Sequence, residues 1–210
     1  MLRHATYIVA ALAIVVVTLG AASYDKSPYI PQSAVRIEAE NSIGSGVYIG
    51  HNVILTAAHV VAKDRDGIVD VKSMGKKLFK GTVLWQSPEY DIAAIRVDDI
   101  EGVEIATLAC SPPQVGDEIM IIGNPLGRYF LASWGKVSGL PEQVSRWHSI
   151  MSMDISIAPG NSGGPVYNKY GEVVGIVVNG MIAPMGLGAS FTGFNGAVPA
   201  RSVCELLGRA

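Results

Sequence analysis

From Ala34 onward the sequence breaks into short runs rich in Val and Ile, each closed by Gly, Pro, Asn or Asp. This punctuation limits the fold more than any other feature. The runs are "AVRIEA", "GVYIG", "NVILTAA", "IVDVKS", "KLFKGTVLW", "DIAAIRV", "DEIMIIG", "WGKVSG", "SIMSMDIS", "GPVYN", "EVVGIVVNG" and "NGAVP". Turn signals recur about every 8–12 residues, the spacing of strands in an all-β sandwich or barrel. No long helical pattern alternates with them, which argues against a parallel sheet with crossover helices. "SPPQVGD", Ser111 to Asp117, is the most turn-rich stretch near the middle and divides two β halves. The tail "PARSVCELLGRA" predicts a short closing helix beginning at Pro199, a residue suited to a helix start. With 210 residues, 49% of them hydrophobic and 16% charged, the chain can bury a real core as one domain.

The N-terminus is a separate matter. "MLRH" precedes the apolar run "ATYIVAALAIVVVTLGAAS". A basic start, an apolar middle and a small-residue end mark residues 1–22 as an export segment. A cleaved signal peptide and a retained membrane anchor through residues 5–22 both satisfy the pattern, with a buried core helix as the remaining alternative. With Arg3 on the cytoplasmic side, either sends the rest of the chain across the membrane, to a periplasmic or extracellular location. The Pro- and Ser-containing stretch 23–33, "SYDKSPYIPQS", reads as a linker. The formal net charge of −2 gives no electrostatic case for nucleic acid as a partner. Lys76, Lys77 and Lys80 form the one notable basic cluster and read as a solvated strand face. Cys110 and Cys204 lie far apart, and the sequence favours two separate buried thiols over a bridge. Neither belongs to a pattern of metal-ligand spacing.

One loop asks for more than a turn. "IAPGNSGGPV", Ile157 to Val166, surrounds Ser162 with Pro159-Gly160 and Gly163-Gly164-Pro165. Such a loop is tightly kinked and brings backbone N–H groups beside a serine oxygen, as an oxyanion hole requires. A candidate base is His59, at the end of the apolar run "VILTAAHVV", where two alanines leave space around an imidazole. His51 sits in a turn, His148 follows a Trp in a polar stretch, and His4 belongs to the export segment. A candidate orienting acid is Asp91, which opens the run "DIAAIRV". A carboxylate there must be compensated by hydrogen bonds or charge, and a histidine N–H serves. Singly, each residue has an ordinary structural explanation; the order His59, Asp91, Ser162 in an all-β chain is one of the known orders of a single proton-relay geometry.

"TAAHVV", "DIAAIRV" and "PGNSGGPV" resemble, block for block, the three catalytic motifs of trypsin-like serine peptidases. "VGDEIMIIGNPLG", "GKVSG", "GEVVGIVV" and the closing "AVPA" are most similar to the HtrA/Deg branch, and the match runs from Val35 to Leu207. The resemblance implies two packed antiparallel β-barrels of the chymotrypsin type with a short C-terminal helix. It places the protease domain at 34–210, divided near 112 into two barrels, with the closing helix at 199–207. No cofactor and no metal is expected. Ser162 would be the nucleophile, His59 the general base and then acid, and Asp91 the group that fixes the His59 tautomer. The N–H groups of Gly160 and Ser162 would hold the developing oxyanion. The pocket for the residue before the cut would be walled by Ser156, Ile157, Val177, Val178 and Asn179. No carboxylate stands at its base, since Asp154 should point elsewhere on an alternating strand. Cleavage after small or medium apolar residues of polypeptide substrates is therefore expected, with the segment "NGMIAPMGLGASFTG" able to reshape the pocket.

Asn161 stands where many digestive relatives carry an aspartate that ion-pairs with a newly cut N-terminus. A neutral amide cannot make that pair, so no zymogen cleavage is expected. The oxyanion loop would be set instead by neighbours such as "GNPLGRYFLAS", Gly123 to Ser133. HtrA relatives usually carry a PDZ domain after the protease, and none is expected in this sequence. Oligomeric state is left open. "DRDGIVD", Asp64 to Asp70, has some look of a calcium loop, but an Asp-Gly turn explains it and the closing bidentate Glu is absent. An esterase of the α/β-hydrolase type lacks the required strand–turn–helix context and Ser-first order. The rival that stays open is a non-catalytic, chaperone-like or scaffold module on the same fold.

Overall fold

The structure is a computed structural model that describes residues 29–63, 65–144, 147–185 and 188–208, with backbone alone at 179, 181–185 and 188–192. Residues 1–22, read as an export segment, most of the stretch read as a linker, and Asp64 of the acidic loop lie outside the described residues. Twelve strands form: β1 Ala34–Ala39, β2 Ser42–Tyr48, β3 Val53–Ala57, β4 Ile68–Ser73, β5 Leu78–Ser87, β6 Ile92–Val97, β7 Glu118–Gly123, β8 Leu131–Val144, β9 Trp147–Asp154, β10 Pro165–Asn168, β11 Val173–Met185 and β12 Gly188–Pro199. Two helices accompany them, α1 Ala58–Val61 and α2 Ala200–Leu207, the latter capped by Pro199.

The strands close into two six-stranded antiparallel barrels, in the order β1-β2-β3-β6-β5-β4 and β10-β11-β12-β9-β8-β7. The side-chain period of two sorts residues between the barrel interior and its outer face. On β1 and β3 nearly every residue is buried, because one face fills the barrel and the other meets covering structure. On β5 exposed and covered residues alternate along a solvent-facing wall. One core cluster fills the first barrel from Val35, Ile37, Leu55, Val71 and Ile95 and continues into the second through Ile122, Ile150, Tyr167 and Val178. A second cluster, with Ile121, Met151, Met153 and Val177, fills the second barrel. The shared cluster makes the barrels one packed unit, and β1, β2 and β3 of the first meet β7, β10 and β11 of the second at their junction. This is the chymotrypsin-type architecture that the strand runs and motifs imply.

Two expectations need correction. His59 does not sit at a strand end: β3 stops at Ala57, and His59 is the second residue of the four-residue α1. The cysteines are not separate thiols: Cys110 and Cys204 form a disulfide with Cα atoms 6.0 Å apart. The long connection between β6 and β7 runs beside β11 (Ala109 N–H donates to the Val173 carbonyl), and α2 packs on β11 from the same side. Two segments 94 residues apart are thereby brought within bonding reach.

Candidate active site

Asp91 precedes β6 with φ 54°, a left-handed conformation uncommon outside glycine, Asn and Asp. Three hydrogen bonds hold it there. Its carbonyl accepts the Ala58 N–H at 3.0 Å, its Oδ1 accepts the His59 backbone N–H at 2.9 Å, and its Oδ2 lies 2.6 Å from His59 Nδ1. The last contact is favourable with the ring proton on Nδ1, which leaves Nε2 as the free lone pair. The Asp91 side chain is 6% exposed and that of His59 43%. The carboxylate is shut away from solvent while the imidazole can be reached from outside.

Ser162 lies in the turn ahead of β10, and its own loop is fixed atom by atom. The Ser162 carbonyl accepts the Ser45 N–H at 2.8 Å. A Cβ on Gly44 would stand 3.1 Å from that carbonyl and 2.6 Å from Val60, so the residue after His59 and the Ser162 backbone flank one point of β2. A Cβ on Gly163 would lie 2.2 Å from both the Ser45 carbonyl and Thr56 Oγ1 and 2.8 Å from the Ala57 nitrogen. With φ 83° as well, that position demands glycine. Gly163, the residue after Ser162, thus rests against the end of β3, from which α1 carries His59.

The N–H groups of this loop divide in a telling way. Those of Asn161, Gly163 and Gly164 donate to the carbonyls of Ala158, Val177 and Asn161. Those of Gly160 and Ser162 donate to no acceptor among the described residues. Two unused donors beside a serine hydroxyl are what stabilises a carbonyl oxygen as it gains charge. The loop after β7 sets their orientation. Leu126 N–H donates to the Pro159 carbonyl at 2.7 Å, and the Asn124 carbonyl blocks any side chain at Gly160, whose φ is 104°.

Sequence reasoning missed two residues of this scaffold. Ser45, fully buried, donates its hydroxyl to the Gly160 carbonyl at 2.7 Å and accepts Asn124 N–H and Nδ2–H, both at 3.0 Å. Asn124, also fully buried, accepts Phe130 N–H at Oδ1 and so ties the far end of its own loop. The available signal was "GNPLG", a polar residue pinned between a strand and a Pro-Gly turn; nothing in "GSG" marks Ser45.

The residues expected to wall a specificity pocket divide. Ser156 is exposed and Ile157 half-buried against the second core cluster. Val177 and Val178 are 1% and 3% exposed, one in each cluster, so their side chains serve the barrels, and it is the Val177 backbone, bonded to Gly163 and Gly164, that faces the loop. Asn179 pairs with Gly196 through the backbone. Asp154 is exposed at the end of β9. Among the described residues no cluster of three His, Cys, Asp or Glu side chains gathers.

A family model described as a trypsin-like peptidase domain matches residues 44–176. "Putative protease Do-like 14" of Arabidopsis thaliana is 32% identical over 192 residues, covering 85% of this chain and 43% of that protein. A "probable periplasmic serine endoprotease DegP-like" of Halomonas elongata is 33% identical over 156 residues, covering 72% and 32%. The chain thus spans less than half the length of these relatives. Among solved structures, the inactive form of the Rv3671c protease of M. tuberculosis superposes with a TM-score of 0.69 at 24% identity, covering 85% of this chain and 88% of that one; this likeness speaks for the fold. With the motifs, the two closed barrels and the family match in agreement, the chain belongs to the trypsin-like serine peptidases, on their HtrA/Deg side.

Proposed function

We propose that the protein is an exported serine endopeptidase that cleaves exposed or unfolded polypeptide through an acyl-enzyme, after small or medium apolar residues. The observation that carries this reading is the buried Asp91 carboxylate, which grips His59 at both its backbone N–H and its ring. Ser162 Oγ attacks the substrate carbonyl carbon as His59 Nε2 removes its proton, and the oxygen takes up negative charge against the Gly160 and Ser162 N–H groups. The tetrahedral centre collapses, the C–N bond breaks, and the amine leaves with the proton that His59 returns. Water then attacks the ester carbonyl with His59 again as base, and the acid product departs as Ser162 regains its proton. Asp91 stabilises the imidazolium in both halves. Export is supported by the pattern of residues 1–22 and by the word periplasmic in the names of relatives. In this division residues 23–33 link an export segment to a protease domain at 34–210.

A fluorophosphonate probe tests the reading. Folded protein should label stoichiometrically, and Ser162→Ala should abolish labelling without changing the fold. Folded wild-type protein that takes up no probe would favour the non-catalytic module.

A further inference from the structure

Beside the loop that sets the oxyanion donors lies a cavity of about 550 Å³, lined by Lys72, Ser73, Met74, Lys76, Tyr129 and Phe130. Its size suits one or two large side chains. One wall is the turn between β4 and β5; the other is the end of the loop whose Asn124 braces Gly160 through Ser45. The walls are prebuilt. Arg36, 5% exposed, places its guanidinium 4.5 Å from the centre of the Tyr129 ring, and its Nη1 donates to the Gly127 carbonyl. Glu38 accepts both Arg36 Nε at 2.6 Å and Lys72 Nζ at 2.9 Å, so the Lys72 charge is spent and its alkyl stem faces the groove. Burial alone would push the Glu38 carboxyl up; the hydrogen bonds from Lys72 and Arg36 outweigh it and hold it below the ordinary carboxylate range. Lys76, exposed at the turn, has no ion pair among the described residues. An apolar slot with one uncommitted cation at its rim is complementary to an apolar side chain followed by a carboxylate.

Position identifies the occupant. A peptide whose acyl side lies along 156–157 and 177–179, on the second barrel, sends its leaving amine to His59 and its downstream residues toward the first barrel. On the β1 sheet Arg36 pairs with Ser45 on one side and Lys72 on the other, so Lys72 and its groove lie two strand spacings, about 10 Å, from Ser45, whose N–H donates to the Ser162 carbonyl. An extended peptide advances about 3.3 Å per residue and spans that distance with its third or fourth residue. We propose that this groove is a subsite for the leaving-group side of the substrate, taking a large apolar residue and an adjacent Glu or Asp three to four positions after the cut. The inference rests on the peptidase reading above.

The experiment uses full-length protein and fluorogenic peptides identical through the first downstream residue, carrying Phe-Glu, Phe-Lys or Ser-Ser at the third and fourth positions. Phe-Glu should exceed Ser-Ser about tenfold in kcat/KM, expressed in KM. Lys76→Glu should leave the Ser-Ser rate unchanged and reverse the order of Phe-Glu and Phe-Lys, and Met74→Ala, on the wall formed by the β4–β5 turn, should reduce the Phe advantage alone. Equal rates for the three tails, or an order that Lys76→Glu does not move, overturns the subsite. If no peptide is cut, the peptidase reading falls instead. The groove is then judged by fluorescence anisotropy of a labelled Phe-Glu peptide with the Ser162→Ala protein. Saturable binding weakened several-fold by Lys76→Glu supports it, and none overturns it.

Discussion

Asp91 holds a backbone conformation that costs an ordinary residue roughly 1–2 kcal/mol, and its bonds to Ala58 and His59 are what maintain it. Asp91→Asn preserves shape and φ tolerance but offers an amide where Nδ1–H needs an acceptor, or else traps the wrong His59 tautomer. Peptidase kcat should fall about 10³–10⁴-fold, as expected for loss of the orienting carboxylate, while thermal unfolding shifts by only a few degrees. A variant that retained a tenth of the activity would remove Asp91 from the relay. Asn161 is the second informative residue. It is 4% exposed, and its Oδ1 is buried with no hydrogen-bond partner among the described residues. Asn161→Asp would place a carboxylate where no cation waits, so its pKa in the folded protein must rise above the unfolded value. A raised carboxyl pKa means that folding binds a proton: the variant should match the parent below the unfolded value and lose stability as pH climbs past it, by about 3 kcal/mol near pH 8. Urea unfolding of both proteins from pH 4 to pH 8 measures the divergence. A constant difference across that range would show that a cation reaches this position after all.

At the scale of elements, the device that matters is the loop from Gly123 to Phe130, whose shape is imposed by Ser45 on β2 and by Asn124 within it. Ser45→Ala would strip one buried donor and one acceptor, leaving the Gly160 carbonyl and two nitrogens of Asn124 without that partner. About 3 kcal/mol of stability should be lost. Activity should also fall by at least tenfold in folded protein, because the Gly160 peptide is no longer anchored. Circular dichroism melts and probe labelling of the same samples separate the two effects. Ser45→Thr, which keeps the hydroxyl, should recover most of the labelling. The sequence singled out this loop as a neighbour that sets the oxyanion loop, but not the Ser45 hydroxyl through which it does so. The strand runs were legible because barrel walls repeat with a period of two and end at turn residues: "AVRIEA" and "IVDVKS" coincide with β1 and β4 to the residue. The extension of β8 through "LPEQV" was not legible, since polar residues on an outer hairpin carry no alternation. α1 is too short for a helical period to register, so its apolar residues read as more strand. Ser45, flanked by glycines, has the composition of a turn and the environment of a core.

For the whole molecule the question is what holds the closing helix and the inter-barrel connection in place. α2 buries Ala200 and Val203 and half-buries Leu206 and Leu207, a narrow apolar stripe for an eight-residue helix. Isolated helices of that length are not stable in water. The connection from Val97 to Glu118 has little regular structure, only a single parallel bridge from Leu108 to Val173. The connection is pinned by buried Ile100, Val103 and Ala106 and by backbone bonds to Tyr48 and Val173, and Cys110–Cys204 joins it to α2. The pairing was hidden in the sequence because both cysteines come close only after the second barrel closes and β11 offers them a common support. Cross-linking residues 94 apart restricts the unfolded chain strongly, and the loop-closure relation gives about 4–5 kcal/mol. The double variant Cys110→Ser/Cys204→Ser should lose that amount in urea unfolding, and the parent protein with reductant should behave the same way. Folded variant should still label at Ser162, since the bond joins α2 to the β6–β7 connection and neither segment carries His59, Asp91 or Ser162. An unchanged midpoint would mean that packing of α2 and the connection on β11 already restricts the chain as much as the bond does. A loss of labelling in folded protein would mean that the bond reaches the oxyanion loop through β11, whose Val177 carbonyl accepts the Gly163 N–H.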